Sequence, residues 1–166
     1  MTIQVVALQW KWLFIYPEQS VATINYVQFP QKTPLNFEIT ADAPMNSFWI
    51  PKLGGQIYAM SGMSTHLHLM ADNTGTYNGS SANISGRGFA GMTFTARSIT
   101  DTQFDLWIQH LKRTSTQLSL NNYNQLAKPS SNQPMTHYSS VEAGLYDQIV
   151  AKFVYPSGNM IGAKQL

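Results

Sequence analysis

The sequence predicts a mainly β protein, a β-sandwich or barrel carrying a short helical appendage. Three observations carry this reading. Short runs rich in Val, Ile, Thr, Phe, Tyr and Trp recur up to residue 97, with Gly and Pro turns between them. After residue 99 the apolar spacing changes from two to three and four. The chain has 166 residues, 43% hydrophobic and 12% aromatic, which is enough to bury a core. One domain with an appendage follows, divided as 1–97 for the sandwich, 98–155 for an aromatic-rich helical extension, and 156–166 for a frayed tail.

In chain order, residues 3–16 are β-branched and aromatic and predict one long strand. Pro17-Glu18-Gln19-Ser20 is a turn. Residues 21–29 alternate and predict a second strand, and 35–40 (LNFEIT) a third. Short strands are expected at 46–51 and 56–60. Residues 65–70 (THLHLM) alternate strictly and predict a half-buried strand. Residues 75–94 are polar and glycine-rich and predict a long loop, after which 92–97 (MTFTAR) forms the last strand. Residues 100–113 place Phe104, Trp107, Ile108 and Leu111 on one helical face, with Thr100 and Gln103 as a capping box. Two more helices are expected at 119–127, presenting Tyr123 and Leu126, and at 142–155, presenting Leu145, Ile149 and Phe153.

Composition excludes several functions. The net charge of +2 and the lack of a basic cluster exclude a nucleic-acid footprint. No cysteine is present, so disulfides, thiolate metal sites and cysteine nucleophiles are excluded. Charged residues are only 11%, against about 25% in ordinary soluble domains. Two readings of that stay open: part of the surface is covered by a partner, or it is polar through Asn, Gln, Ser and Thr. The longest apolar run, 5–16, is broken by Gln9 and Lys11 and is too short to span a bilayer. No leader is legible, and Met1 runs straight into a strand pattern. The sequence is therefore expected to be a piece of a longer chain whose upstream part is missing.

The loop at 75–94 organises the functional reading. It spells Ser81-x-Asn83-x-Ser85, three residues, Phe89, two residues, then Met92. This spacing resembles the binuclear copper (CuA) loop of subunit II of haem-copper cytochrome c oxidases, Cys-x-Glu-x-Cys-x-x-x-His-x-x-Met. A further histidine of that family lies in a segment resembling His-Ser-Phe/Trp-x-x-Pro-x-Leu-Gly. Here the segment reads Asn46-Ser47-Phe48-Trp49-Ile50-Pro51-Lys52-Leu53-Gly54. Trp10-Lys11-Trp12-Leu13-Phe14-Ile15-Tyr16-Pro17-Glu18-Gln19, Gln56-Ile57-Tyr58-Ala59-Met60 and Leu67-His68-Leu69 agree in the same order. They resemble the quinol-oxidising (cytochrome o type) branch of the family, and the part after residue 98 resembles its aromatic-rich extension.

At the copper positions Asn46, Ser81, Asn83, Ser85 and Phe89 stand for His, Cys, Glu, Cys and His, and only Met92 is retained. Copper at such sites is held by soft thiolates, which hydroxyls and a phenyl ring do not replace. The resemblance therefore implies a cupredoxin-like periplasmic domain of a ubiquinol oxidase subunit II without copper. It implies a structural, non-catalytic subunit of an oxidoreductase that oxidises ubiquinol, reduces oxygen to water and pumps protons. It further implies haems and copper in subunit I, and contacts to subunit I and the other subunits. The place implied is the periplasmic face of the bacterial inner membrane, with attachment through N-terminal transmembrane helices absent from this sequence.

Other candidates carry less. Gly86-Arg87-Gly88-Phe89-Ala90-Gly91 satisfies G-x-G-x-x-G, but it opens a strand pattern where a dinucleotide loop would open a helix. His66 and His68 share one strand face, which is a solvated face unless His110 or His137 folds beside them. Trp10, Trp12, Tyr16 and Trp49 are core aromatics by default; by the resemblance, any of them is a candidate to face a partner. The competing function is a free-standing β-sandwich binding module for a small ligand or sugar.

Overall fold

The computed structural model describes residues 1–81 and 92–154. The chain opens with β1 (Thr2–Leu8) and β2 (Lys11–Tyr16), an antiparallel hairpin pairing Leu8 with Lys11 and Gln4 with Ile15. The single strand expected over 3–16 is thus two. The turn is Gln9-Trp10, and Trp10 takes φ 80°. That left-handed conformation normally marks its place with Gly or Asn. Here a tryptophan holds it while its ring packs on the core, so the usual signal is missing.

The next expected strand also divides. β3 (Val21–Ile24) ends at Asn25, which takes φ 62°, and β4 (Tyr26–Pro30) continues in the other sheet. The Asn25 carboxamide holds this corner. Its Oδ1 accepts from the Trp12 N–H at 2.8 Å and its Nδ2 donates to the Gln133 carbonyl at 2.9 Å. β5 (Leu35–Ala41), β6 (Asn46–Trp49), β7 (Ile57–Ala59) and β8 (Thr65–Leu69) follow. β9 (Gly75–Ser81) lies within the stretch expected to be loop. Its sequence, GTYNGSS, has only Thr76 and Tyr77 as strand formers, and its order comes from pairing along β10 (Thr93–Ile99), from Gly75 opposite Ser98 to Ser80 opposite Thr93.

The extension holds α1 (Asp101–Leu111), β11 (Gln117–Leu118), α2 (Leu120–Leu126), β12 (Thr136–Tyr138), β13 (Ser140–Val141) and α3 (Leu145–Val154). The Thr100 hydroxyl accepts from the Gln103 N–H and the Gln103 side chain accepts from the Thr100 N–H, so the capping box forms as the sequence predicts. Ser119 caps α2 through the Asn122 N–H.

One sheet runs β12-β3-β2-β1-β5-β8 and the other β4-β10-β9-β6-β7; β11 and β13 pair separately. β1 lies parallel to β5 and β10 parallel to β4, the crossed topology of a cupredoxin-like sandwich. Between the sheets sits an aromatic core. Phe48 stacks on Phe94 at 5.2 Å, and Trp12 meets both edge-on. Burial of such rings is the main driving force available to a sandwich of this size.

The six-stranded sheet is covered on its outer face as well. Val6, Leu8, Leu13, Ile15, Ala22 and Ile24 pack there against Leu118, Tyr123, Leu145, Tyr146 and Ile149 of the extension. Both faces of β2 are therefore dry, and all six of its residues are buried. This is why KWLFIY shows no polar alternation. α1 sends Phe104, Ile108 and Leu111 into the main core, with Trp107 half-buried against the Tyr16 and Tyr26 rings. Phe153, expected on the buried face of α3, remains 40% exposed.

Candidate functional site

Two of the positions singled out by the family resemblance meet in the interior. Asn46 begins β6 and Ser81 ends β9; the two strands pair through Phe48 and Ser81. The Ser81 hydroxyl donates to the Asn46 Oδ1 at 2.8 Å, and the Asn46 Nδ2 donates to the Pro44 carbonyl at 2.8 Å. The Ser47 N–H reaches the Ser81 Oγ at 3.5 Å. Asn46 is wholly buried and Ser81 nearly so. A buried amide and hydroxyl are stable only when paired, and here each supplies what the other needs. Met92 is buried in the inter-sheet core, and its carbonyl lies 3.4 Å from the Trp12 indole nitrogen, which donates to it.

These groups do not fit a binuclear copper centre. The donors at Asn46 and Ser81 are hard neutral oxygens and an amide nitrogen, already engaged with one another, whereas copper of that kind takes thiolate and imidazole. Asn83, Ser85 and Phe89, and the G-x-G-x-x-G run, lie outside the described residues. Among the described residues no three His, Cys, Asp or Glu side chains come together.

The histidines separate into two groups. His66 and His68 are exposed on β8, with the His66 Nδ1 3.2 Å from the Asn36 Oδ1. β8 and β12 form opposite edges of one sheet, so His137 does not join them. His137 instead faces His110, ring centres 6.3 Å apart. Burial, and then the His110 charge, lower the His137 pKa.

The four aromatics considered as partner-facing also separate. Trp12 and Tyr16 are wholly buried, which corrects that expectation for both. Trp12 lies among Phe48 and Phe94. The Tyr16 hydroxyl donates to the Gln28 carbonyl at 2.7 Å and accepts from the Gln28 N–H at 2.9 Å, while its ring meets Trp107. Both are used up by the domain's own core. Trp10 and Trp49 are half-buried.

The sequence reading missed the ties that bind the extension to the sandwich. The Tyr123 hydroxyl donates to the Asp42 carboxylate at 2.6 Å, and Lys152 reaches the same oxygen at 2.9 Å. Burial and the Asp42 charge push the Tyr123 pKa far up. The buried Lys11 ammonium donates to the Lys128 carbonyl at 2.7 Å and the Ser130 hydroxyl at 2.6 Å, and burial lowers its pKa. A lysine between two tryptophans in a strand was the one available signal of such a buried cation.

Comparison with known proteins bears on this geometry. The family model described as cytochrome c oxidase subunit II, periplasmic domain, matches residues 18–99, and the COX aromatic rich motif matches 112–157. The chain is 51% identical over 152 residues to cytochrome bo(3) ubiquinol oxidase subunit 2 of Pseudomonas aeruginosa, covering 92% of this chain and 46% of that protein. It is 50% identical over 151 residues to ubiquinol oxidase subunit 2 of Acetobacter aceti, covering 91% and 49%. The chain thus spans about half the length of these curated relatives. Among solved structures, the periplasmic domain of subunit II of the Bradyrhizobium japonicum cytochrome oxidase superposes with a TM-score of 0.66 at 22% identity, covering 68% of this chain and 94% of that one. That likeness concerns the fold.

Proposed function

The chain belongs to the cytochrome c oxidase subunit II family, as its periplasmic domain, and from that premise we propose that it is part of subunit II of a proton-pumping ubiquinol oxidase. The complex oxidises ubiquinol and reduces oxygen to water. This domain carries no CuA centre and does no chemistry of its own. Haems and copper sit in subunit I. The domain lies on the periplasmic face of the inner membrane, attached through helices upstream of this sequence, and packs on subunit I. Among the described residues no helix is long and apolar enough to cross a membrane.

The observation that carries this reading is the Ser81–Asn46 hydrogen bond. A subunit receiving electrons from cytochrome c needs metal ligands at these two positions. Here the two side chains are bonded to each other and are hard oxygen and amide donors, where copper of that kind takes thiolate and imidazole. A quinol delivers its electrons within the membrane and needs no such relay. Trp10 and Trp49, half-buried where Trp12 and Tyr16 are wholly buried, are the aromatics left as candidates to meet subunit I.

The test is donor specificity of the purified complex containing this chain. Oxygen uptake should be supported by a short-chain ubiquinol and not by reduced cytochrome c. Oxidation of cytochrome c, or a complex without haem, would overturn the proposal.

A further inference from the structure

Thioether sulfur is a donor that a search for histidine, cysteine and carboxylate clusters does not see. Three methionines lie on the backbone segments that meet at the open end of the β6–β7 hairpin. The paired register ends with Asn46 opposite Ala59, and Met45 and Met60 are the residues immediately beyond that pair on the two strands. Met63 follows within one turn: its N–H donates to the Met60 carbonyl at 3.4 Å, and Gly62 takes φ 78° to close the turn.

The turn is tied to the segment that carries Met45. The Ser61 hydroxyl donates to the Ala43 carbonyl at 3.2 Å, and the Thr40 hydroxyl donates to the Met60 carbonyl at 3.2 Å. Met45 is 47% and Met63 51% exposed, while Met60 is half-buried. The backbone is thus fixed and the three unbranched side chains are free to turn. Each has three rotatable bonds and a polarizable sulfur.

We infer that Met45, Met60 and Met63 form a binding site for a monovalent soft cation, Cu(I). Soft thioethers select Cu(I), whereas zinc, magnesium and calcium prefer harder donors. The site is separate from the CuA positions and supplies no electron path: three thioethers hold copper in its reduced state, colourless and without an unpaired electron. This departs in one respect from the expectation that the domain holds no metal.

The test uses the chain of residues 1–166 with methionine methyl groups labelled with carbon-13. Ag(I) serves as an air-stable probe, and Cu(I) is measured anaerobically by competition with a colorimetric chelator. Of the eight methionines, the methyl signals of Met45, Met60 and Met63 should shift together and saturate at one equivalent. Met60→Leu and Met63→Leu should each weaken Cu(I) binding by about tenfold or more, the scale on which even indirect support costs metal affinity. Met135→Leu, at an exposed methionine elsewhere, should change nothing. Thermal melts confirm that each variant is folded. Signals that move at Met70 and Met135 as much as at the three would overturn the site, as would binding that shifts histidine resonances and leaves the three methyl groups in place.

Discussion

The hydroxyl of Ser81 and the carboxamide of Asn46, 35 residues apart in sequence, are joined by a 2.8 Å hydrogen bond in a wholly buried setting. The bond links the first residue of β6 to the last of β9. It turns what would be two lost ligand positions into a structural latch across the sheet.

Breaking that latch from one side should be costly. Ser81→Ala leaves the Asn46 Oδ1 buried without its donor, and the expected loss is about 1–3 kcal/mol. Denaturant unfolding of Ser81→Ala, Asn46→Ala and the double variant measures it. The double variant should lose less than the two singles summed; strict additivity would mean that the bond contributes nothing.

The same proximity predicts that a copper centre can be rebuilt. Asn46→His, Ser81→Cys, Asn83→Glu, Ser85→Cys and Phe89→His together, with Met92 kept, should give a purple protein with copper and the mixed-valence spin resonance of a shared electron. Before metal is added the variant should be about 1–3 kcal/mol less stable, because polar groups replace a satisfied pair. Copper binding then stabilises it through linkage. A folded but colourless variant would show that the loop has changed shape as well as ligands. The unaltered chain given cupric ion should develop no thiolate band, having no sulfur of that kind.

Trp107 should anchor α1 to the sandwich. It is half-buried, with its ring edge-on to Tyr16 at 5.6 Å and to Tyr26 at 6.0 Å. Trp107→Ala is expected to destabilise the chain by about 2–3 kcal/mol, below the 3–5 of a wholly buried ring. Leu106→Ala, one residue away and 60% exposed, should stay within about 0.5 kcal/mol. Equal effects of the two would place α1 off the sandwich in solution.

Alkaline pH should unfold the chain through its tyrosines. Burial raises the pKa of Tyr16 and Tyr123, and raises that of Tyr146 to about 12. The unfolded chain releases these protons near pH ~10 while the folded chain keeps them, so stability falls as pH rises through that range. Lys11 opposes the trend: burial lowers its pKa, and the penalty on its charge is relieved as pH rises towards its ordinary value. The tyrosines outnumber it. The stability gap between the parent and Tyr146→Phe, followed by chemical unfolding from pH 9 to 12, should shift steadily against the parent. A constant gap would contradict the raised pKa.

Much of the fold was legible because local chemistry and tertiary order agreed. The Thr100–Gln103 box, the alternation of 35–40 and the helical face of Phe104, Ile108 and Leu111 all point the same way in sequence and in space. The misreadings have specific causes. Trp10 holds a left-handed turn that only tertiary packing stabilises. Asn25 looks like one more alternating polar residue, yet it carries the chain from one sheet to the other. β9 is poor in strand formers and is ordered by its neighbour. At the candidate site, the loop spacing singled out Ser81 and Met92, and a resembling upstream segment singled out Asn46. That Asn46 and Ser81 bond to each other depends on the β6–β9 register, which no local pattern reveals. Trp12 and Tyr16 were candidates to face a partner only through the family resemblance; both sit in the inter-sheet core, where such aromatics lie by default.

The pairing of β12 with β3, from Tyr138 opposite Ala22 to Thr136 opposite Ile24, has a consequence for how the molecule behaves in a crowded compartment. An open β3 would present the backbone of VATI as a bare template for any passing strand, the usual route from a folded sandwich to an aggregate. The extension fills that place with a strand of its own. That edge of the sheet is thereby closed from within the chain, and an incoming strand meets no bare β3 to pair with.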